Sequence, residues 1–117
     1  MTAEEIKTLV IAALEELKAF NIVALDVRSL TSITDIMVVA SGRSTRQVKA
    51  ISDKVVETAK HSGVPVLGVE GQDQSEWVLV DLGDVIVHIM YPSTRTYYQL
   101  EKLWDLNEQS GNANSAP

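Results

Sequence analysis

Trp77, His88 and a run of carboxylates without nearby cations bound the chemistry open to this chain. Between Lys60 and Arg95 there is no Lys or Arg, yet Glu70, Asp73, Glu76, Asp81 and Asp84 fall there beside two apolar runs. The runs, Trp77 to Val80 and Val85 to Tyr91, are joined by Asp81-Leu82-Gly83-Asp84. That pattern predicts a β-hairpin, because Gly supplies the positive φ of a tight turn. With Leu82 and Gly83 as the turn, Asp81 faces Asp84, Val80 faces Val85, Val78 faces Val87 and Trp77 faces His88. One face then carries Val78, Val80, Val85, Val87 and Ile89, which suit packing beneath helices. The other gathers Trp77, Leu79, Ile86, His88 and Met90, with Glu76 and Asp81 at its margin. Aromatic residues and Met are enriched at interface cores, so this second face has the makings of an exposed anchor surface. The plainer reading of Trp77 is a half-buried tryptophan covered by the chain's own terminal helix. A bulge at Gly83 would shift the register. His88 reads as a packed neutral imidazole, since His61, the only other histidine, lies near a helix end where its cation would favour the dipole.

A second chemical possibility lies in Ser41-Gly42-Arg43-Ser44, a turn between a strand and a helix start. Free backbone N–H groups and the helix dipole at such a turn can hold phosphate, with Arg43 and Arg46 reinforcing it. Ser and Gly are also what any helix start prefers, and the full phosphate-loop motif with its Lys is absent. Nucleotidyl transfer would further need carboxylates converging on Mg²⁺. Asp35 opens a strand while Asp81 and Asp84 flank a turn, where Asp is a common turn residue, and no Gly-x-Ser-x-Gly elbow is present. The residues assemble no catalytic constellation, so the expectation is a non-enzyme without cofactor or metal.

At 117 residues the chain is long enough for one domain with a proper core. It contains no cysteine, which removes disulfides, zinc-thiolate sites and thiol nucleophiles together. Glu4 and Glu5 stand where a signal peptide would be basic, and no apolar stretch approaches the ~20 residues that span a bilayer, so the expected location is cytoplasmic. A formal net charge of -6 argues against broad affinity for nucleic acid or anionic membrane and favours a basic partner.

The elements that must position these residues follow from periodicity. Thr2 to Phe20 predicts an amphipathic helix opened by a Thr2/Glu5 capping box and stopped by Asn21. Ile22 to Val27 and Asp35 to Ala40 predict paired strands. A second helix starts at Ser44, with Gln47 completing a capping box, and ends at Ser62-Gly63. Val66 to Val69 predicts a short strand, followed by a polar, flexible loop from Glu70 to Glu76 and the hairpin. A last helix runs from Ser93 to about Trp104, carrying Tyr97, Tyr98, Leu100 and Leu103. The expected fold is α/β, a mixed sheet of about five strands with helices mainly on one face. The domain should span 1–106, and the polar tail 107–117 should be disordered.

Ala24 to Val27, Ser32 to Asp35, Ser41 to Val48, Gly68 to Gly71, Trp77 to His88 and Tyr98 to Trp104 together closely resemble the ribosomal silencing factor family, also called RsfS or Iojap-like. The resemblance runs from the first helix to Trp104 and excludes only the tail. It implies a nucleotidyltransferase-like fold that has lost catalysis. It further implies binding to the large ribosomal subunit through its protein fourteen, a basic β-barrel protein at the subunit interface. The small subunit is then kept from joining, and translation is repressed under nutrient limitation. A homodimer is implied for the free protein. On this chain the resemblance points to Trp77, Leu79, His88 and Met90 on the hairpin, Tyr98 and Lys102 on the last helix, and Glu76 and Asp81 facing basic groups.

Overall fold

The computed structural model describes residues 1–94. The expected last helix with Tyr98, Lys102 and Trp104, and the tail 107–117, lie outside the described residues. The chain order is α1 (Ala3–Glu16), β1 (Phe20–Asp26), β2 (Ile36–Ser41), α2 (Thr45–His61), β3 (Gly68–Glu70), β4 (Trp77–Asp81) and β5 (Val85–Met90).

Both helices begin as their sequences dictate. Glu5 N–H donates to Thr2 Oγ1 at 3.2 Å and Thr2 N–H donates to Glu5 Oε1 at 2.8 Å, closing the capping box of α1. The bond from the Thr2 backbone, then that from its side chain, holds the Glu5 carboxyl below the ordinary carboxylate value. Ser44 caps α2 by accepting from Gln47 N–H, but the expected reciprocal bond moves one residue back. Gln47 Oε1 takes the N–H of Arg43.

The helix ends differ in legibility. Gly63, at φ +78, terminates α2 in a Schellman turn, with Val64 N–H on the Ala59 carbonyl and Gly63 N–H on the Lys60 carbonyl. α1 ends the same way, Ala19 N–H reaching the Leu14 carbonyl and Lys18 N–H the Glu15 carbonyl, but Lys18 occupies the left-handed position at φ 63. The helix expected to reach Phe20 therefore stops at Glu16, and Phe20 opens β1. β1 also carries a register irregularity between Phe20 and Val23, where Asn21 has φ 50.

The strands form one mixed five-stranded sheet in the order β1-β2-β5-β4-β3, with β2 and β5 parallel and the other neighbours antiparallel. α1 and α2 pack together on one face. There Ile36, Val38, Ala40, Val78, Val80, Val85, Val87 and Ile89 of the sheet meet Ile6, Val10, Leu14, Val48, Ile51 and Val55 of the helices. Each fully buried aliphatic side chain of this kind contributes about 1.5–3 kcal/mol of transfer free energy. This matches the α/β expectation of a mixed sheet with helices on one side.

The hairpin register differs from the expected one. Trp77 lies opposite Met90, Leu79 opposite His88, Val80 opposite Val87 and Asp81 opposite Ile86. Leu82–Val85 forms the turn, closed by Leu82 N–H on the Val85 carbonyl at 2.9 Å, with Gly83 at φ +86 donating to Asp81 Oδ1 at 2.9 Å. Asp84 does not pair with Asp81, because its carbonyl receives the N–H groups of Asp35 and Ile36 and so joins the turn to β2. The slip is by an even number of residues. Side chains alternate with period two, so the assignment of faces survives it.

Candidate partner interface

On the sheet face away from α1 and α2, the registers set side chains in rows. One row runs Leu25, Met37, Ile86, Asp81; the next runs Val23, Val39, His88, Leu79, Glu70; a third holds Ser41, Met90 and Trp77. The β1–β2 end is apolar and sealed. Leu25, Val27, Met37, Val39 and Met90 form a second cluster, against which Val23 and Trp77 pack. Toward β4 and β3 the face opens: Trp77, Leu79, Ile86 and Asp81 are half-buried, and Glu70 and Glu76 are exposed.

The hairpin face expected to lie open is therefore only partly so. Met90 is 0% and His88 6% exposed. Both sit on β5, flanked by β2 and β4; Met90 packs with Leu25, Val27, Met37 and Val39, and His88 lies against the Trp77 indole. Trp77 and Leu79, one strand nearer the edge, keep accessible surface. The sequence singled out Trp77, Leu79, Glu76, Asp81, His88 and Met90, and the fold brings all six into one region.

Two more residues join that group by geometry, Ile86, which the alternation already placed on this face, and Glu70. Ile86 shares a row with Asp81, and Glu70 lies directly opposite Leu79. Glu70 carried no sequence signal for this placement, since a three-residue strand sets its register only by pairing.

Trp77 is fixed from two sides. Its indole Nε1–H donates to His88 Nδ1 at 2.9 Å, with ring centroids 5.9 Å apart and planes tilted by 46°. An Nδ1 that accepts places the imidazole proton on Nε2. Burial pushes the His88 pKa down to about 4, so at neutral pH the ring is uncharged. On the backbone side, Gly71 at φ +88 lies so close to the Trp77 carbonyl that a Cβ would collide with it.

The loop before β4, expected to be flexible, is tied down. Ser75 N–H donates to the Gly71 carbonyl at 3.0 Å and Ser75 Oγ to the Gln72 carbonyl at 2.8 Å. It borders an open cleft of about 370 Å³ lined by Gly71, Asp73, Gln74, Glu76, Trp77 and Thr94. Acid thus stands beside the indole. Asp81 differs from Glu76 in that one carboxylate oxygen is already committed to the Gly83 N–H.

The Ser41–Ser44 turn is engaged in holding the fold. Gly42 N–H donates to the Met90 carbonyl at 3.1 Å, Arg43 N–H to Gln47 Oε1 at 2.6 Å and Gln47 N–H to Ser44 Oγ at 3.1 Å. Gln47 Nε2 reaches the Leu17 carbonyl at 3.1 Å, joining the start of α2 to the end of α1. The Arg43 guanidinium lies 5.4 Å from the centroid of the Phe20 ring. Asp35 pairs with Arg28 at 3.5 Å, and Asp26 with the same Arg28 at 3.0 Å. Among the described residues no three His, Asp or Glu side chains cluster as metal ligands would.

Fold and patch define a small α/β domain with helices on one side of the sheet and acid-edged apolar side chains on the other. Residues 1–116 match the family model described as ribosomal silencing factor during starvation, and the chain belongs to that family. It is 49% identical over 104 residues to the ribosomal silencing factor RsfS of Chromobacterium violaceum, covering 89% of this chain and 85% of that protein. Identity to the RsfS of Bacillus subtilis is 39% over 104 residues, covering 89% and 88% of the two chains. A crystal structure of a Chromobacterium violaceum protein superposes with a TM-score of 0.88 at 48% identity, covering 90% of this chain and 88% of that one.

Proposed function

We propose that this protein binds the large ribosomal subunit through its protein fourteen, a basic protein at the subunit interface, and bars the small subunit from joining, so that translation is repressed when nutrients are scarce. The observation that carries this reading is the placement of half-buried Trp77, Leu79 and Ile86 beside Glu70 and Asp81 on the face that α1 and α2 leave alone, with Glu76 in the cleft that borders Trp77. Family membership supplies the ribosome, and the chemistry of the patch supplies the mode. Apolar anchors contribute most of the affinity, while the acidic edge speeds encounter with a cationic surface and disfavours RNA-like anions. The protein acts by occlusion, in the cytoplasm, without catalysis. When free it pairs with a second copy, which shields the same apolar side chains.

Sedimentation of joined ribosomes with added protein tests the reading. The expected result is a shift toward separate subunits, reduced at least tenfold in potency by Trp77→Ala, as for a buried aromatic hot spot worth about 2 kcal/mol or more. No shift with the parent protein, or equal potency of the variant, would refute it. The nucleotide-binding alternative is less favoured, because two donors of the Ser41–Ser44 turn, Gly42 N–H and Arg43 N–H, are already taken.

A further inference from the structure

His88 sits inside the proposed interface but is nearly sealed from solvent, which raises the question of what it does there. Its side chain accepts the Trp77 indole proton at Nδ1. Trp77 and His88 are not directly opposed. The register puts Leu79 opposite His88 and Met90 opposite Trp77, so the indole reaches diagonally across the ladder to find its acceptor. We propose that His88 is a positioning residue: its Nδ1 holds the Trp77 indole in the orientation that meets the ribosomal partner, and His88 itself contributes little contact. This rests on the proposed function and assigns a division of labour within the same site.

Three observations support it. His88 is 6% exposed while Trp77 keeps accessible surface, so of the two only the indole can present substantial area to a partner. Desolvation keeps the imidazole neutral at physiological pH, and in the tautomer protonated at Nε2 its Nδ1 offers the lone pair that the indole N–H meets. The main chain at Trp77 is already fenced by Gly71, which leaves the side-chain rotamer as the remaining freedom, and a hydrogen bond to a buried acceptor removes it. A side chain ordered before binding costs less to order during binding.

The test pairs two substitutions. His88→Phe keeps a ring and removes the acceptor; His88→Asn loses the ring but sets Oδ1 near the place of Nδ1. Binding to purified large ribosomal subunits should weaken about tenfold for His88→Phe and stay within about twofold of the parent for His88→Asn. In the free parent protein, the ¹⁵N indole resonance assigned by its loss in Trp77→Phe should exchange slowly with water. Equal binding by His88→Phe and parent, while Trp77→Ala binds poorly, would overturn the positioning role and leave the proposed function standing. Equal weakening by both His88 variants would also overturn it. Should His88→Phe fail to fold, an indole proton exchanging as fast as that of free tryptophan would do the same. Unweakened binding by Trp77→Ala would remove the proposed function and this inference with it.

Discussion

The indole of Trp77 donates to Nδ1 of His88 at 2.9 Å across neighbouring strands of the hairpin. A buried imidazole that must stay neutral to accept this bond links the proposed interface to pH. Its pKa is lowered by desolvation from 6.5 to about 4, so between those values the unfolded chain binds more protons than the folded one.

Stability should therefore be full above the unfolded pKa and decline as pH falls from 6.5 toward 4, by about 3 kcal/mol from this group alone. Urea midpoints measured across this window should show the decline in the parent. In His88→Asn that part of the slope should be absent.

Gly71→Ala should destabilise the fold by about 2 kcal/mol or more. The position has φ +88, and a Cβ there collides with the Trp77 carbonyl, so strain and displacement of β4 act together. Thermal unfolding measures the loss. A matched Gly63→Ala variant, with φ +78 but open space around its Cβ, should lose only the conformational part, about 1 kcal/mol.

Lys18→Gly should stabilise the protein by about 0.5–1 kcal/mol, since Lys18 holds the left-handed helix-ending position at φ 63 with an exposed side chain. Denaturant unfolding with an unchanged slope would record the gain. Lys18→Ala should bring no such gain.

Removing charge from the rim should alter rate more than residence. Glu70→Gln with Glu76→Gln is expected to slow association with large ribosomal subunits about two- to fivefold at low salt and to flatten its salt dependence. Stopped-flow or surface-based kinetics separates the two rates. Asp81 is left intact in this test because its carboxylate also accepts the Gly83 N–H inside the turn.

Breaking the brace between the helices should cost stability without touching the patch. Gln47→Ala removes an acceptor for Arg43 N–H and a donor to the Leu17 carbonyl, and about 1–2 kcal/mol should be lost in urea unfolding.

Local rules made much of this protein legible from its residues. The Thr2/Glu5 capping box, Ser44 as N-cap, Gly63 as helix stop and the alternation through β4 and β5 all depend on bonds and sterics within a few residues. The two hairpin faces were recoverable even with a slipped register, because a period of two tolerates an even slip. What local rules missed was set at a distance. α1 stops at Glu16 because Lys18 adopts a conformation that its side chain does not advertise, and Phe20 is drawn into pairing with Ser41. The turn is longer than the pattern suggested because β2 claims the carbonyl of Asp84.

The amino-acid sequence by itself determined the family, the α/β class and the candidate hairpin with its acidic flank, since motif identity and apolar periodicity are properties of the chain. Only the tertiary structure decided that Trp77 and Leu79 keep accessible surface while His88 and Met90 are covered, that Glu70 lies opposite Leu79, and that the Gly42 and Arg43 N–H groups are spent on the fold. The physical reason is that exposure belongs to a residue's place among strands. Met90 is buried among Leu25, Val27, Met37 and Val39, which lie far from it in the chain, while Leu79 on β4 faces the exposed Glu70 of the short edge strand β3.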